Sequence, residues 1–243
     1  MLSRICKLLL CAMLASVATS AVAQGKEWSF QGSLYLFAAE TDLSVGDVKT
    51  TLSFSDALEN LDFAGMASFS ATNNQWSFVG DLMYFNLGFE NDLPGTVFSR
   101  SETDQKNTIF TGYALYRIYD TPTATVDLGG GFRYFRTETN LSLRSEITST
   151  RRAGTKDSWT DPILAAQARV GFSDAWSSML AVDYGSFLDD RETYSATVTL
   201  DYEFNENWVG RLGYRYINVE DKGRDLDFRF EQSGPILGAT YRF

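Results

Sequence analysis

Histidine is missing altogether from this chain, and both of its cysteines, Cys6 and Cys11, fall near its start. Without histidine, the general base that activates serine and cysteine nucleophiles is gone. Without histidine or later cysteines, a metal would have to be held by oxygen ligands alone. Beyond residue 23 no apolar stretch reaches the ~18 residues that a membrane-spanning helix needs. Passage through a membrane would then require strands closed into a barrel, since closure satisfies every backbone group in hydrocarbon. Positive charge is scarce too: 21 Lys and Arg against 31 Asp and Glu leave a formal charge of −10, unsuited to nucleic acid. No Pro/Ser-rich linker or shift of composition divides residues 24–243.

What is present begins with "MLSRICKLLLCAMLASVATSAVAQ", in which Arg4 and Lys7 precede an apolar run and small residues lead to Ala21-Val22-Ala23. This pattern predicts a secretory leader over 1–23, cut after Ala23, and a single barrel domain over 24–243. Cys11 follows three leucines rather than the small residue of a lipoprotein signal. The processed chain is therefore expected to carry no disulfide and no lipid anchor. Loss of Arg4 and Lys7 makes it two charges more negative still.

Three tight polar turns, "TNNQW" (72–76), "SDAW" (173–176) and "NENW" (205–208), each lead into a tryptophan that opens an apolar run. From each tryptophan the residues alternate. Trp76, Phe78, Leu82 and Tyr84 oppose Ser77, Asp81 and Met83; Trp176, Leu180, Val182 and Tyr184 oppose Ser177, Met179 and Asp183; Trp208, Leu212, Tyr214 and Tyr216 oppose Arg211, Gly213 and Arg215. Period-two alternation marks strands with one apolar face. The full set predicts ten strands, at 28–38, 63–71, 76–87, 108–119, 125–137, 159–172, 176–187, 194–204, 208–219 and 228–243, with eight and twelve as the alternatives. Short turns at 72–75, 120–123, 173–175 and 205–207 alternate with longer charged loops, chiefly 88–106 and 141–157. Short turns on one side, long loops on the other and an even strand count are the pattern of an all-β transmembrane antiparallel barrel of the outer membrane.

Trp28, Trp76, Trp176 and Trp208 then form an interfacial girdle at the short-turn end, where an indole can bury its face and keep its N–H wet. A soluble barrel or sandwich is the alternative, but its inward face should be apolar. Here the minority face carries Asp81, Arg117, Asp127, Arg133, Arg169, Asp183, Asp201, Glu203, Arg211, Arg215 and Arg242. In a narrow barrel these charges are expected to pair across the interior, either as a salt-bridged plug or as the lining of a narrow path for ions and small polar solutes. Arg133, Arg211 and Arg215 are matched with Asp81, Asp127 and Asp183.

Other features carry weaker chemistry. Asp189-Asp190 after a strand end reads as a solvated loop rather than an acid/base pair, so no catalytic residue is assigned. "EDKGRDLD", with Asp221, Asp225 and Asp227, lacks the spacing of a calcium loop and reads the same way. No metal or cofactor is expected. Gly129 to Gly131 lie mid-strand, where they admit sharp curvature or a large neighbour. "SFSDALENL" (53–61) places Phe54, Leu58 and Leu61 along one face behind Ser53 or Ser55 as N-cap, predicting a short helix over the mouth, in the lumen or on the rim.

The chain closes on "GATYRF", with Gly238, Tyr241 and Phe243 resembling the terminal signal read by the outer-membrane assembly machinery. Long phrases such as "YLFAAETDLSVG" (35–46), "SFSDALENLDFAGMASF" (53–69), "VDLGGGFRYF" (126–135), "WTDPILAAQARVGFSDAW" (159–176) and "GPILGATYRF" (234–243) resemble a widespread family of bacterial outer-membrane β-barrel proteins without an established activity. The resemblance implies a small barrel in the outer membrane, in contact with its lipids and lipopolysaccharide. It leaves two roles open: a non-enzymatic structural or narrow porin-like barrel, and a surface-loop binding protein whose external ligand the sequence does not name.

Overall fold

Alternation becomes strand throughout the computed structural model, which describes residues 28–45, 48–92, 98–145, 147, 149–186, 190–222 and 227–243. The expected leader, Asp189 and Asp225 lie outside these residues. Among the described residues there are twelve strands: β1 (Ser29–Phe37), β2 (Glu40–Val45), β3 (Val48–Leu52), β4 (Leu61–Thr72), β5 (Trp76–Asp92), β6 (Arg100–Asp120), β7 (Ala124–Arg144), β8 (Arg151–Gly171), β9 (Trp176–Gly185), β10 (Arg191–Glu203), β11 (Trp208–Asp221) and β12 (Phe228–Arg242). Ten of them, β1 and β4 to β12, close an antiparallel barrel when β1 pairs with β12. The other two form a hairpin missed in the sequence. β12 pairs with β1 through Ile236–Arg242 and with β2 through Phe228–Ser233, so the hairpin β2–β3 stands on the same strand above β1.

The tight turns explain their own composition. Asn73 Oδ1 accepts from the backbone N–H of Trp76 (2.8 Å), Asn205 Oδ1 from that of Trp208 (2.9 Å) and Ser173 Oγ from that of Trp176 (3.2 Å). A short polar side chain three residues before the tryptophan thus closes each turn, the local bonding for which Asn and Ser are favoured there. The indoles then point outward, 41 to 47% exposed for Trp28, Trp76, Trp176 and Trp208. Each stacks or edges against a neighbouring ring: Trp28 on Phe78, Trp76 on Tyr116, Trp176 on Tyr202 and Trp208 on Tyr241.

Between the girdle and the far end the outer wall is apolar, with Leu34, Leu164, Leu180, Leu212 and Leu237 exposed, while charged and polar residues turn inward. That polarity is the reverse of a soluble barrel and suits hydrocarbon outside. Gly129 and Gly131 let the wall bend. A Cβ on either would stand 2.0 Å from the Ala114 carbonyl oxygen or 1.8 Å from that of Gly112, so β6 and β7 approach in a way only glycine admits.

Two loop assignments need correction. Residues 88–106 and 141–157 are mostly strand: β6, β7 and β8 are each 21 residues long, about twice the ~9–11 needed to cross a bilayer. Their upper halves project as a sheet, and β5 accompanies them for part of the way. This part is largely polar on both faces and shows no hydrophobic period, so its sequence resembles a loop. Cross-strand pairs hold it instead, including Arg100 with Glu90, Arg144 with Glu102 and Lys156 with Glu138. The predicted helix exists as α1 (Phe54–Glu59), with the Ser53 hydroxyl accepting from the Asp56 N–H. It lies on the rim, with Phe54 and Leu58 exposed and Ala57 against the apolar interior, so it does not plug the lumen.

Candidate functional site

The lumen is built in three tiers by inward-facing residues of successive strands. At the centre Arg133 of β7, fully buried, donates to Asp183 Oδ2 (2.8 Å), Thr193 Oγ1 (2.6 Å), Ser195 Oγ (3.2 Å) and Thr111 Oγ1 (3.3 Å). Asp183 Oδ2 also accepts from the hydroxyls of Tyr113 (2.7 Å) and Ser195. Beside this group Arg215 donates to Asp81 (2.9 Å) and to the Tyr35 hydroxyl (2.8 Å), which itself donates to Asp81. A guanidinium and a carboxylate removed from water cost several kcal/mol each unless paired and hydrogen-bonded, and every cation of this layer is both.

Toward the short-turn end the charges line a cavity of about 480 Å³. Asp201 takes two bonds from Arg211 (2.9 and 2.8 Å) and one from Arg169 (3.1 Å). Arg117 grips Asp127 through two nitrogens (2.8 and 3.2 Å), and Arg242 meets Glu203 at 2.6 Å. All nine residues expected in the charge network therefore face inward and are paired. The partners differ in one respect: Arg211 pairs with Asp201, and Asp127 with Arg117.

Toward the other end the interior turns apolar. Phe37, Met83, Phe85, Leu87, Ile109, Phe135, Trp159, Ile217, Val219, Phe230 and Ile236 form one buried cluster. Phe135 sits among Trp159 (4.8 Å between ring centres), Phe230 (5.3 Å) and Phe228 (5.8 Å). This tier was not foreseen, nor were the hydroxyls of Tyr35, Tyr113, Thr193 and Ser195, or the Asp161–Arg191 pair at 3.3 Å. Their inward parity was the available signal.

The remaining assignments fall as follows. Tyr241 and Phe243 lie on the outer wall and edge against each other, and the Phe243 N–H donates to the Phe30 carbonyl, tying down the last residue. Gly238 faces Tyr35. Among the described residues no group of three Asp, Glu, His or Cys is placed to hold a metal ion, and Asp221 is buried. On the projecting sheet the Glu138 carboxyl lies below its ordinary range, held there by Lys156 and Arg136, and Glu102 is lowered by Arg144.

No protein-family model matches the chain, and no curated protein sequence does. Solved structures do. The outer-membrane protease OmpT of Escherichia coli is 13% identical and superposes with a TM-score of 0.56 over 94% of this chain and 100% of its own. The attachment invasion locus protein Ail of Yersinia pestis is 16% identical, with a TM-score of 0.39 over 90% and 99% of the two chains. The toluene transporter TodX of P. putida is 10% identical, with a TM-score of 0.37 over 91% and 90%. At 13% identity the likeness to the protease is one of fold: the protein is a closed β-barrel of the bacterial outer-membrane type.

Proposed function

We propose that the protein is a non-enzymatic resident of the outer membrane, sealed along its axis, with a structural role in the envelope. One observation supports this reading: a buried apolar cluster around Phe135 lies above the Arg133–Asp183 layer, so we read the 480 Å³ cavity below as a blind vestibule. Ions crossing would have to breach both a hydrogen-bonded charge layer and a dewetted aromatic layer. The outer wall meets the membrane lipids, and assembly is expected to follow the route of other barrels. The test is conductance of refolded protein in a planar bilayer, with folding verified by heat-modifiable gel migration. Silence is expected from the wild type. Discrete channels from it, altered by Arg215→Ala, would replace this reading with a narrow porin.

A second reading, surface binding, is favoured by the projecting β5–β8 sheet. Cells displaying a barrel trimmed to tight turns above Leu87–Gln105 and Thr139–Thr155 should lose any adhesion that the full barrel confers. Adhesion unchanged by trimming would dismiss it.

A further inference from the structure

The barrel wall is not hydrogen-bonded all the way up between β1 and β4. Their ladder runs from Ser29–Thr72 to Leu34–Ala67 and stops. Yet β1 goes on pairing with β12 as far as Phe37–Ile236, and β4 pairs with β5 up to Leu61–Leu87. Continued in the same register, Tyr35, Leu36 and Phe37 would fall opposite Met66, Gly65 and Ala64, with no ladder between them among the described residues. On the far side of the projecting sheet β8 also outruns β9, but past Leu164 its outward residues are Pro162, Thr160 and Ser158, so that edge leaves the apolar belt after one residue.

The β1–β4 seam lies within that belt. Its outward flank is Leu34, Leu36 and Phe63, exposed by 72, 68 and 59%. Its inner side is the apolar cluster: Phe37 and Met83 are buried in it, and Ala64 and Met66 pack against it. Tyr35, hydrogen-bonded to Asp81 and Arg215, forms the floor. At the head α1 connects β3 to β4, with Ala57 on the same cluster. Two needs therefore coincide at one place. The β1–β4 ladder leaves the facing strand edges without its bonds where hydrocarbon offers no partner for a backbone N–H, and the surface behind them is apolar.

We propose that this seam is a lateral port that takes one acyl chain of an outer-leaflet lipid. The methylenes lie against Phe37, Ala64 and Met66, and the ester or amide carbonyl at the root of the chain accepts from the unpaired backbone N–H groups. A lipid is the occupant because the outward flank, Leu34, Leu36 and Phe63, is apolar up to Asp62 at its head and the surrounding medium at this depth is lipid. The inference goes beyond the sealed axis: the barrel is closed to water from end to end and open to the bilayer through its wall.

Cysteine reactivity tests this in the full chain carrying Cys6→Ser and Cys11→Ser, placed in phosphatidylcholine vesicles after the gel shift confirms folding. Phe37→Cys and, independently, Met66→Cys probe the two sides of the seam, and Ile217→Cys probes the same cluster behind strands paired on both flanks. A long-chain N-alkyl maleimide dissolved in the bilayer should label Phe37→Cys and Met66→Cys at least several-fold faster than Ile217→Cys, whereas a sulfonated, water-soluble maleimide should label none of them. Equal, slow labelling of all three by the lipid reagent would overturn the port. So would equally fast labelling by the water-soluble reagent, which would place the entry at the aqueous mouth. Either failure can occur with conductance still absent, so it is distinguishable from failure of the sealed-axis reading.

Discussion

Arg133 and Asp183 meet at 2.8 Å in the middle of the barrel, on β7 and β9, with side chains 0 and 2% exposed. Neither can be removed alone without leaving the other charge stranded. Arg133→Met is expected to cost about 3–5 kcal/mol, the usual penalty for breaking a buried pair. The midpoint of the heat-modifiable gel shift reads this loss. The double variant Arg133→Met/Asp183→Leu should recover most of it, and a double variant no better than the single one would mean that the pair contributes little.

Gly131 tolerates no side chain. Gly131→Ala sets a methyl 1.8 Å from the Gly112 carbonyl oxygen, a backbone atom that cannot step aside. Folded yield should collapse, while Gly130→Ala, whose added carbon would stand 3.1 Å from the Ile163 carbonyl, should lose less. Equal yields of the two variants would contradict the close approach of β6 and β7.

Acid should loosen the projecting sheet before the barrel. Glu138 and Glu102 have lowered pKa values through Lys156, Arg136 and Arg144, so their stabilising effect is complete above the ordinary glutamate value of about 4.3 and fades as pH falls through the lower folded value. Amide exchange, corrected for its intrinsic rate, should rise in β6 and β7 above Lys106 and Glu138 as pH drops below about 4. A variant with Glu138→Gln and Glu102→Gln should show no such step.

Trp176 contributes area and an aromatic partner, Tyr202, at 4.8 Å between ring centres. Trp176→Phe should be nearly silent, since the ring pair is worth only ~0.5–1.5 kcal/mol beyond burial. Trp176→Asp should lower the outer-membrane yield clearly, and a yield equal to wild type would argue against an interfacial girdle.

The lower half of the molecule was legible because its chemistry alternates in one phase, with Trp176, Leu180 and Val182 outward and Ser177, Met179 and Asp183 inward. Higher up the phase reverses. Phe135 and Trp159 point inward, while Arg136 and Thr160 point outward, because on the β7–β8 side, unlike the β1–β4 side, the wall has left the hydrocarbon at this row and the lumen has become the dry side. Period two survives the reversal, so alternation alone located the strands without showing that the interior changes from charged to apolar. The β2–β3 hairpin escaped for another reason. Its five- and six-residue strands are too short to establish a period, and their partner residues on β12, Phe228 to Ser233, are distant in sequence.

The projecting strands also limit how the outer surface can vary over evolutionary time. Within the paired arms β6–β7 and β7–β8, residues stand opposite one another rung by rung up to Arg100–Arg144 and Leu143–Arg151, apart from the bulge between Arg117 and Tyr119. A single-residue insertion would turn every side chain beyond it to the opposite face. Length changes would therefore be tolerated in matched pairs on both arms of a hairpin, so that this surface grows or shrinks by whole rungs, whereas an ordinary surface loop can change length one residue at a time.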